Sequence, residues 1–454
     1  MSTRLDRSRP PAPGTLTPFR FPPFERFELD NGITVLASHS DRAPLAYVKL
    51  LLDAGGQHSP LDRTGLAGLT AAVIDEGTAR QSGTDIAAAV ERWGGGLSTD
   101  TSWDRAYAAI EVPVAQLAHA VELVSDLAFR ANFPDFELER VRRLRLTEIE
   151  RRKHQPSMIA DLALIEHIYG PTCPYGHSIY GRPESLAAIP REEVVSFYRR
   201  TYLPLGATLV AVGAFRPEEL AELAAAHLGS EPRKAGPVAG ELVARPTAGP
   251  RITLLDRPDA VQTELRIGCA AVSRRHSDSL GLRLFAATLG GKFTSRLNLK
   301  LREQEGLTYG VACSLQSRLG PGPFVVSAAV ANRGVGLAAD TVLTELARAA
   351  AVPLPEAELC ETADYIVGTF PYGLQSADGV ASRLEEIATF GLPDDTFDHY
   401  ATLLAAWTPE AVAGAVARHL PAEGFKIVAV GPAAEIEGQL RALGEVEVLS
   451  AGAR

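Results

Sequence analysis

The sequence predicts an α+β protein built by tandem duplication, in which two similar domains each pack helices against a mostly antiparallel sheet. The chain has 454 residues, which is more than one ordinary hydrophobic core accommodates. Its succession of strand-like and helix-like segments is interrupted near residue 230 and then begins again after residue 250. Near the end of each half, almost the same five-residue motif occurs, Leu-Val-Ala-Val-Gly at 209–213 and Ile-Val-Ala-Val-Gly at 427–431.

Composition places the domain boundaries. Residues 1–24 are rich in Pro, Ser, Thr and Arg and are expected to form a flexible extension. An N-terminal domain then covers 25–229. Residues 230–250 carry Gly, Pro, Lys, Arg and Ala without periodicity, which is typical of a linker. The C-terminal domain covers 251–454.

The N-terminal domain is predicted to begin with a hairpin at 27–36, because Asn31-Gly32 favours a tight turn between two apolar runs. A helix over 64–76 has Thr64 as its N-cap and Gly77 as its stop. Alternation and helical periodicity assign the remaining elements: strands at 46–53, 97–101, 105–112 and 207–212, and helices at 84–93, 114–129, 135–154, 157–169, 190–200 and 217–228.

The C-terminal domain repeats this order. Its predicted strands are 252–256, 263–271, 307–317, 323–331 and 426–430. Its predicted helices are 277–289, 295–305, 335–350, 355–373, 409–418 and 433–443.

Charge and composition exclude several classes of function. The net charge of -10 argues against nucleic acid as the main partner, since phosphate binding needs a concentrated basic surface. No run of about 18 apolar residues is present, so no membrane partner is expected. The four cysteines lie far apart without a C-x-x-C pair, which indicates neither thiolate zinc nor a disulfide framework. No signal peptide is recognisable, and a cytoplasmic location is expected.

Several short sequence motifs, taken in order along the chain, carry a family resemblance. They are Gly-Leu-Ala at 65–67, Glu-Gly-Thr at 76–78, Gly-Gly at 94–95 and the segment 297–309. With the hairpin at 27–36, they resemble the pitrilysin/insulinase-like metallopeptidases, and most of all the processing-peptidase branch. The resemblance extends over nearly the whole chain after residue 25. It implies that the two domains form half of a clamshell chamber.

The resemblance also locates a missing zinc site. Active members carry H-x-x-E-H on the first long helix, where two histidines bind zinc and the glutamate activates a water molecule. The matching positions here are Gly68, Ala71 and Ala72, with glycine and alanine in place of the ligands and alanine in place of the base. None of these side chains has a lone pair to offer. We therefore expect no metal and no catalytic residue in this chain.

A third family ligand corresponds to Glu148, a glutamate on a later helix. One carboxylate cannot hold zinc, so we interpret Glu148 as a lone remnant. Its expected role is an ordinary helix carboxylate that pairs at helical spacing with Arg145, Arg151 or Arg152. A second cluster of potential ligands, in a turn-rich region, is interpreted as structural or surface residues: His154, His167, Cys173 and His177.

The C-terminal half keeps Arg302 and Tyr309. In two-subunit family members, such an arginine–tyrosine pair binds the substrate backbone across the chamber from the zinc. An arginine donates directed hydrogen bonds to a carbonyl group, and a phenol can donate to an oxyanion. The alternative is an arginine in a surface ion pair with Glu305 and a half-buried tyrosine. The resemblance favours substrate binding.

An edge strand with Ser98-Thr99 matches the segment that takes up substrate as an added strand in active members. The family's usual Asn-Ala is absent there, so whether this strand still binds peptide stays open. The whole pattern predicts a non-catalytic, substrate-binding subunit of a heterodimeric zinc peptidase, with zinc in an H-x-x-E-H-bearing partner and a peptide as substrate. The alternative is a purely structural core subunit that resembles the family without any peptidase role.

Overall fold

The computed structural model describes residues 19–237, 240, 242–246 and 251–450, and it contains two six-stranded sheets of the same design. The predicted fold class, two similar α+β domains, is confirmed. Most of the predicted extension, residues 1–18, lies outside the described residues, as do 238–239, 241 and 247–250 of the predicted linker. No helix in the described ranges is long and apolar enough to cross a membrane.

The first sheet comprises β1 Glu25–Glu28, β2 Thr34–His39, β3 Leu45–Leu52, β4 Gly96–Thr101, β5 Ala106–Pro113 and β6 Thr208–Gly213. The second comprises β7 Ile252–Asp256, β8 Gln262–Ala270, β9 Thr308–Leu315, β10 Pro323–Ala331, β11 Lys426–Gly431 and β12 Val446–Ser450.

The helices of the first half are α1 Leu66–Ala71, α2 Gly83–Trp93, α3 Leu117–Arg130, α4 Asp135–Lys153, α5 Pro156–Tyr169, α6 Pro183–Ala188, α7 Arg191–Thr201 and α8 Pro217–Leu228. Those of the second half are α9 Ser279–Ala286, α10 Val335–Ala351, α11 Glu356–Thr369, α12 Ala377–Phe390, α13 Tyr400–Ala405, α14 Pro409–His419 and α15 Ala433–Arg441. Two π-helical segments, Ala287–Gly291 and Asn298–Gln304, follow α9.

Strand order demonstrates the duplication. The first sheet runs β1-β2-β6-β3-β5-β4 and the second β12-β7-β11-β8-β10-β9. In each, a parallel pair (β2 with β6, β7 with β11) is followed by three antiparallel pairings. The outer strands differ, because β1 pairs antiparallel with β2 and β12 pairs parallel with β7. The repeated motifs at 209–213 and 427–431 lie in β6 and β11, which are the third strands of their sheets in this order.

The two halves exchange one helix each. Helix α5 of the first half contacts β8 and β11 of the second sheet, and its Leu164 and Ile168 share a buried cluster with Val428. Helix α12 of the second half contacts β3 and β6 of the first sheet, where Leu384 packs in a cluster with Val210. Each sheet therefore completes its core with a helix from the other half.

Residues at the start of the described chain join this junction. Phe21 is buried and packs against Phe397, with ring centroids 5.4 Å apart. Its backbone N–H donates to Asp398 at 3.2 Å. Residues 19–24, which the sequence places in the extension, therefore contact the second half of the chain.

Several elements differ from the sequence-based prediction. The helix predicted over 64–76 ends at Ala71, because the chain turns there and the Val73 N–H bonds to the Thr70 carbonyl. The helix predicted over 295–305 is the π-helical segment Asn298–Gln304. Helices α6, α12 and α13 and strand β12 had not been predicted.

Candidate functional site

Helix α1, which carries the expected zinc-motif positions Gly68 and Ala71, starts against a loop that approaches it closely. Gly65 caps the helix with φ +92°, and Gly181 in the facing loop has φ +79°. A Cβ atom at Gly181 would lie 2.4 Å from the Thr64 carbonyl oxygen. The two glycines therefore let the loop at 178–181 lie directly on the helix.

This loop occupies the first zinc-ligand position. A Cβ atom built on Gly68 would lie 2.4 Å from the carbonyl oxygen of Ile179 and 3.2 Å from a guanidinium nitrogen of Arg145. The space that a histidine side chain would need is thus filled by backbone and by a cation.

The other two motif positions are enclosed as well. Ala71 is fully buried, in the place of the catalytic base. Ala72, in the place of the second ligand, packs against the core of the first half. The helix therefore lacks the residue types that a catalytic zinc site requires, and the space beside Gly68 is filled.

Arg145 places positive charge beside Gly68, the expected first ligand position. Its guanidinium group lies over the ring of Tyr180, 5.1 Å from the centroid, and Arg152 covers the same ring at 3.7 Å. Burial lowers the pKa of Arg145 below its ordinary value, but arginine stays protonated in proteins. A fixed cation beside Gly68 repels a divalent metal ion.

Glu148 lies on α4, one helical turn beyond Arg145. Both of its carboxylate oxygens accept hydrogen bonds from Arg151 at 2.7 Å, and one also accepts from Arg152 at 2.8 Å. These bonds lower the pKa of Glu148 to about 2. The third family ligand position thus holds an ion-paired carboxylate whose oxygens already have partners.

The edge strand with Ser98-Thr99 is β4, which pairs with β5 and forms one edge of the first sheet. The Thr99 hydroxyl donates a hydrogen bond to the carboxylate of Asp75, which lies in the turn after α1. Burial raises the pKa of Asp75 to about 6 despite that bond. A half-buried carboxylate thus ties this edge to the turn after α1.

Arg302 and Tyr309 come together on the surface of the second half. The Arg302 guanidinium group contacts two aromatic rings, 4.1 Å from the Phe293 centroid and 5.1 Å from the Tyr309 centroid. Tyr309 is 88% exposed and Phe293 62%. The ion-pair partner of Arg302 is Glu303, at 3.4 Å, whereas Glu305 pairs with Lys300.

Asn298 fixes the backbone around this cluster. Its side-chain amide donates to the carbonyl groups of Lys292 and Val311, both at about 3 Å, and its carbonyl oxygen accepts the Val311 N–H at 2.8 Å. Asn298 thereby ties the loop before Phe293 to strand β9, which carries Tyr309. Sequence reasoning missed Phe293, although its place in an otherwise polar stretch was a usable signal.

The structure keeps the two groups of predicted site residues apart. Among the described residues, no hydrogen bond, ion pair or ring contact joins Arg302 or Tyr309 to α1 or to Glu148. The missing zinc site and the arginine–tyrosine pair are therefore separate features of this chain.

The turn-rich histidine cluster is dispersed. His167 contacts the Thr253 hydroxyl at 3.3 Å, and His177 contacts the Pro171 carbonyl at 2.8 Å. In the described part of the chain, potential metal ligands converge at His276, Asp278 and His419, within 4.8 Å. There Arg418 already donates to Asp278 at 2.8 Å, which makes this group an ion-pair network.

Two family models match successive parts of this chain. Residues 34–177 match the model of "Insulinase (Peptidase family M16)", and residues 188–364 match that of "Peptidase M16 inactive domain". An uncharacterised zinc protease of Mycobacterium tuberculosis is 27% identical over 410 residues, which cover 90% of this chain and 93% of the relative.

Two further relatives show the range of the similarity. The beta subunit of the bovine (Bos taurus) mitochondrial-processing peptidase is 26% identical over 296 residues, covering 64% of this chain and 59% of that protein. A crystal structure described as the peptidase M16 inactive domain from Pseudomonas fluorescens superimposes with a TM-score of 0.84 at 24% identity, covering 90% of this chain and 98% of that one. The two family matches together span well over half of the sequence, and the chain therefore belongs to peptidase family M16, the insulinase family.

Proposed function

We propose that this chain is the non-catalytic, substrate-binding subunit of a heterodimeric zinc metallopeptidase that acts on peptides. A second family member with an intact H-x-x-E-H motif supplies the zinc ion and the general base. The names of the relatives agree with this arrangement: one is called a zinc protease and another is a subunit of a processing peptidase.

The observation that carries the proposal is the contrast between the two halves. In the first half, the Ile179 carbonyl and the Arg145 guanidinium fill the space beside Gly68. In the second half, Tyr309 is exposed and the half-buried Arg302 lies over its ring. Loss confined to the metal-binding helix favours a division of labour between two chains over general decay of the site.

The geometry at Arg302 suits a peptide ligand. Its guanidinium group lies over the rings of Phe293 and Tyr309, and it has five N–H donors, of which Nε faces Glu303. These donors can reach a peptide carbonyl group. The exposed Tyr309 hydroxyl can donate to the oxyanion that forms when the peptide bond is attacked.

Strand β9 offers a second means of holding a peptide. It pairs with β10 and lies at the edge of the second sheet, and Tyr309 is one of its first residues. An extended peptide can add to such an edge through backbone hydrogen bonds without any particular side chain. Peptide binding along β9 would bring a carbonyl group next to Tyr309 and Arg302.

The test uses this chain assembled with its H-x-x-E-H-bearing partner and a fluorogenic peptide. Arg302→Ala and Tyr309→Phe are each expected to lower kcat/KM about 10- to 100-fold, since each removes a charge-assisted or oxyanion hydrogen bond worth about 1.5–3 kcal/mol. Arg441→Ala, at an exposed arginine paired with Glu437 on α15, is the control and should leave turnover unchanged.

Assembly, measured by size-exclusion chromatography, should be the same for all variants. Unchanged turnover for both Arg302→Ala and Tyr309→Phe would refute a substrate-binding role and favour the purely structural subunit. A cytoplasmic location stays a prediction.

A further inference from the structure

A cavity whose lining includes neither Arg302 nor Tyr309 lies where α9, α11 and α12 meet the segment 397–400. Its volume is about 260 Å³. The walls combine three arginines with aromatic and aliphatic side chains. No part of the proposed peptidase role uses this cavity.

The charges that line the cavity do not balance. Arg274, Arg283 and Arg383 all donate to one carboxylate, that of Glu386, at 2.6, 3.2 and 2.9 Å. Among the described residues, no other carboxylate forms an ion pair with these three arginines. The group therefore carries a net charge of about +2.

Glu386 does not alter this balance at physiological pH. Burial by itself raises the pKa of Glu386, but the charges of Arg283, Arg274 and Arg383 outweigh burial and lower the pKa to about 2. Arginine stays protonated throughout. Burial raises the pKa of Tyr400, another cavity residue, so its hydroxyl group remains a donor.

Two of the arginines keep donors for a ligand. A guanidinium group has five N–H donors, and within the described part of the chain the side chains of Arg283 and Arg383 each donate one hydrogen bond, to Glu386. Their side chains are 31% and 37% exposed, whereas Arg274 is 9% exposed and lies behind them. Unused N–H groups of Arg283 and Arg383 therefore line the accessible part of the cavity.

The rest of the wall is apolar. Phe370 and Phe397 stack with centroids 5.5 Å apart, and Arg383 lies 5.5 Å from the Phe370 centroid. Ile366 extends this wall. A ligand that fits here has a charged end for the arginines and a flat or aliphatic remainder for the rings.

We propose that this cavity binds a small organic dianion, a phosphate monoester or a dicarboxylate, through Arg283 and Arg383. A dianion neutralises the net charge of about +2, and a phosphate monoester carries about −1.5 to −2 at pH 7. Fork-shaped guanidinium groups bind phosphate and carboxylate oxygens in pairs. The volume of about 260 Å³ is close to the lower limit of typical ligand sites, about 300 Å³, and suits a metabolite-sized molecule.

The test is isothermal titration calorimetry of the full chain with phenyl phosphate and with phthalate at low ionic strength. Saturable binding of one or both probes is expected, and the tighter probe identifies the anionic group. Arg283→Gln and Arg383→Gln should each weaken binding at least tenfold, because a hydrogen bond to a charged group contributes about 1.5–3 kcal/mol. Arg348→Gln, at an exposed arginine on α10 outside the cavity, should bind as the wild type does.

Arg383→Lys guards against a folding artefact, since it keeps the charge and loses the paired donors. It should unfold at the wild-type temperature yet bind more weakly than the wild type. The proposal is overturned if neither probe binds at millimolar concentration. It is also overturned if well-folded Arg283→Gln and Arg383→Gln variants bind as tightly as the control.

Discussion

Substituting alanine for Gly68 tests how tightly the space beside this expected ligand position is filled. Alanine normally stabilises a helix interior by about 0.5–1 kcal/mol relative to glycine. At Gly68, however, the new Cβ atom would lie 2.4 Å from the Ile179 carbonyl oxygen, whereas ordinary carbon–oxygen contacts are about 3.3 Å or longer. The helix or the loop at 178–181 must therefore move by roughly 1 Å.

Such overpacking costs about 1–3 kcal/mol. After subtraction of the helical gain, Gly68→Ala should destabilise the protein by up to about 2 kcal/mol. Gly438 provides the matched control, because it lies in helix α15 and no atom comes within 4 Å of the Cβ position. Gly438→Ala should stabilise the protein by about 0.5–1 kcal/mol.

The assay is urea unfolding followed by circular dichroism, with the midpoint compared at constant m-value. The two substitutions are the same chemical change and should shift the midpoint in opposite directions. If Gly68→Ala stabilises the protein as much as Gly438→Ala does, the Ile179 carbonyl does not close the position and the argument fails.

Three other predictions concern charged and ligand-bearing groups. The pKa of Asp75 is raised to about 6, so the stability that its protonated form contributes is lost as the pH rises through 6. In urea unfolding, Asp75→Asn should be as stable as the wild type below pH 4 and more stable by up to about 3 kcal/mol at pH 8. Equal stability of the two proteins at pH 8 would contradict this. The pKa of Glu386 is lowered to about 2, so the stability that its ionised carboxylate contributes is fully present above about pH 4.5 and is lost as the pH falls through 2. Glu386→Gln should therefore be less stable than the wild type by on the order of 3 kcal/mol at pH 7 and by well under about 1 kcal/mol at pH 2. A pH-independent difference would contradict this. Restoring the motif with Gly68→His, Ala71→Glu and Ala72→His together should not restore zinc binding, measured by elemental analysis, and one bound zinc per chain would show that the space is open.

The duplication was predictable because its evidence is local. The apolar strand that ends in glycine at 209–213 recurs at 427–431, and both copies are central strands with the same neighbours. The exchange of α5 and α12 was not predictable in this way. The apolar faces of these helices show that they are buried, but a single sequence does not show that each packs on the sheet of the other half.

The candidate site, too, was predictable in part. The absence of ligand side chains at Gly68, Ala71 and Ala72 is a property of residue types and is visible in the sequence. The filling of that space is not visible, because it depends on the backbone carbonyl of Ile179, more than 100 residues away, and on the direction in which Arg145 points.

The central claim is that this chain contributes to peptide cleavage without a metal site of its own. The most direct measurement is zinc content and chelator-sensitive peptide cleavage, for the purified chain alone and for the chain mixed with an H-x-x-E-H-bearing partner. The account predicts neither zinc nor cleavage for the chain alone, and cleavage by the mixture that a chelator abolishes. Chelator-sensitive cleavage by this chain alone, with one zinc bound, would contradict it.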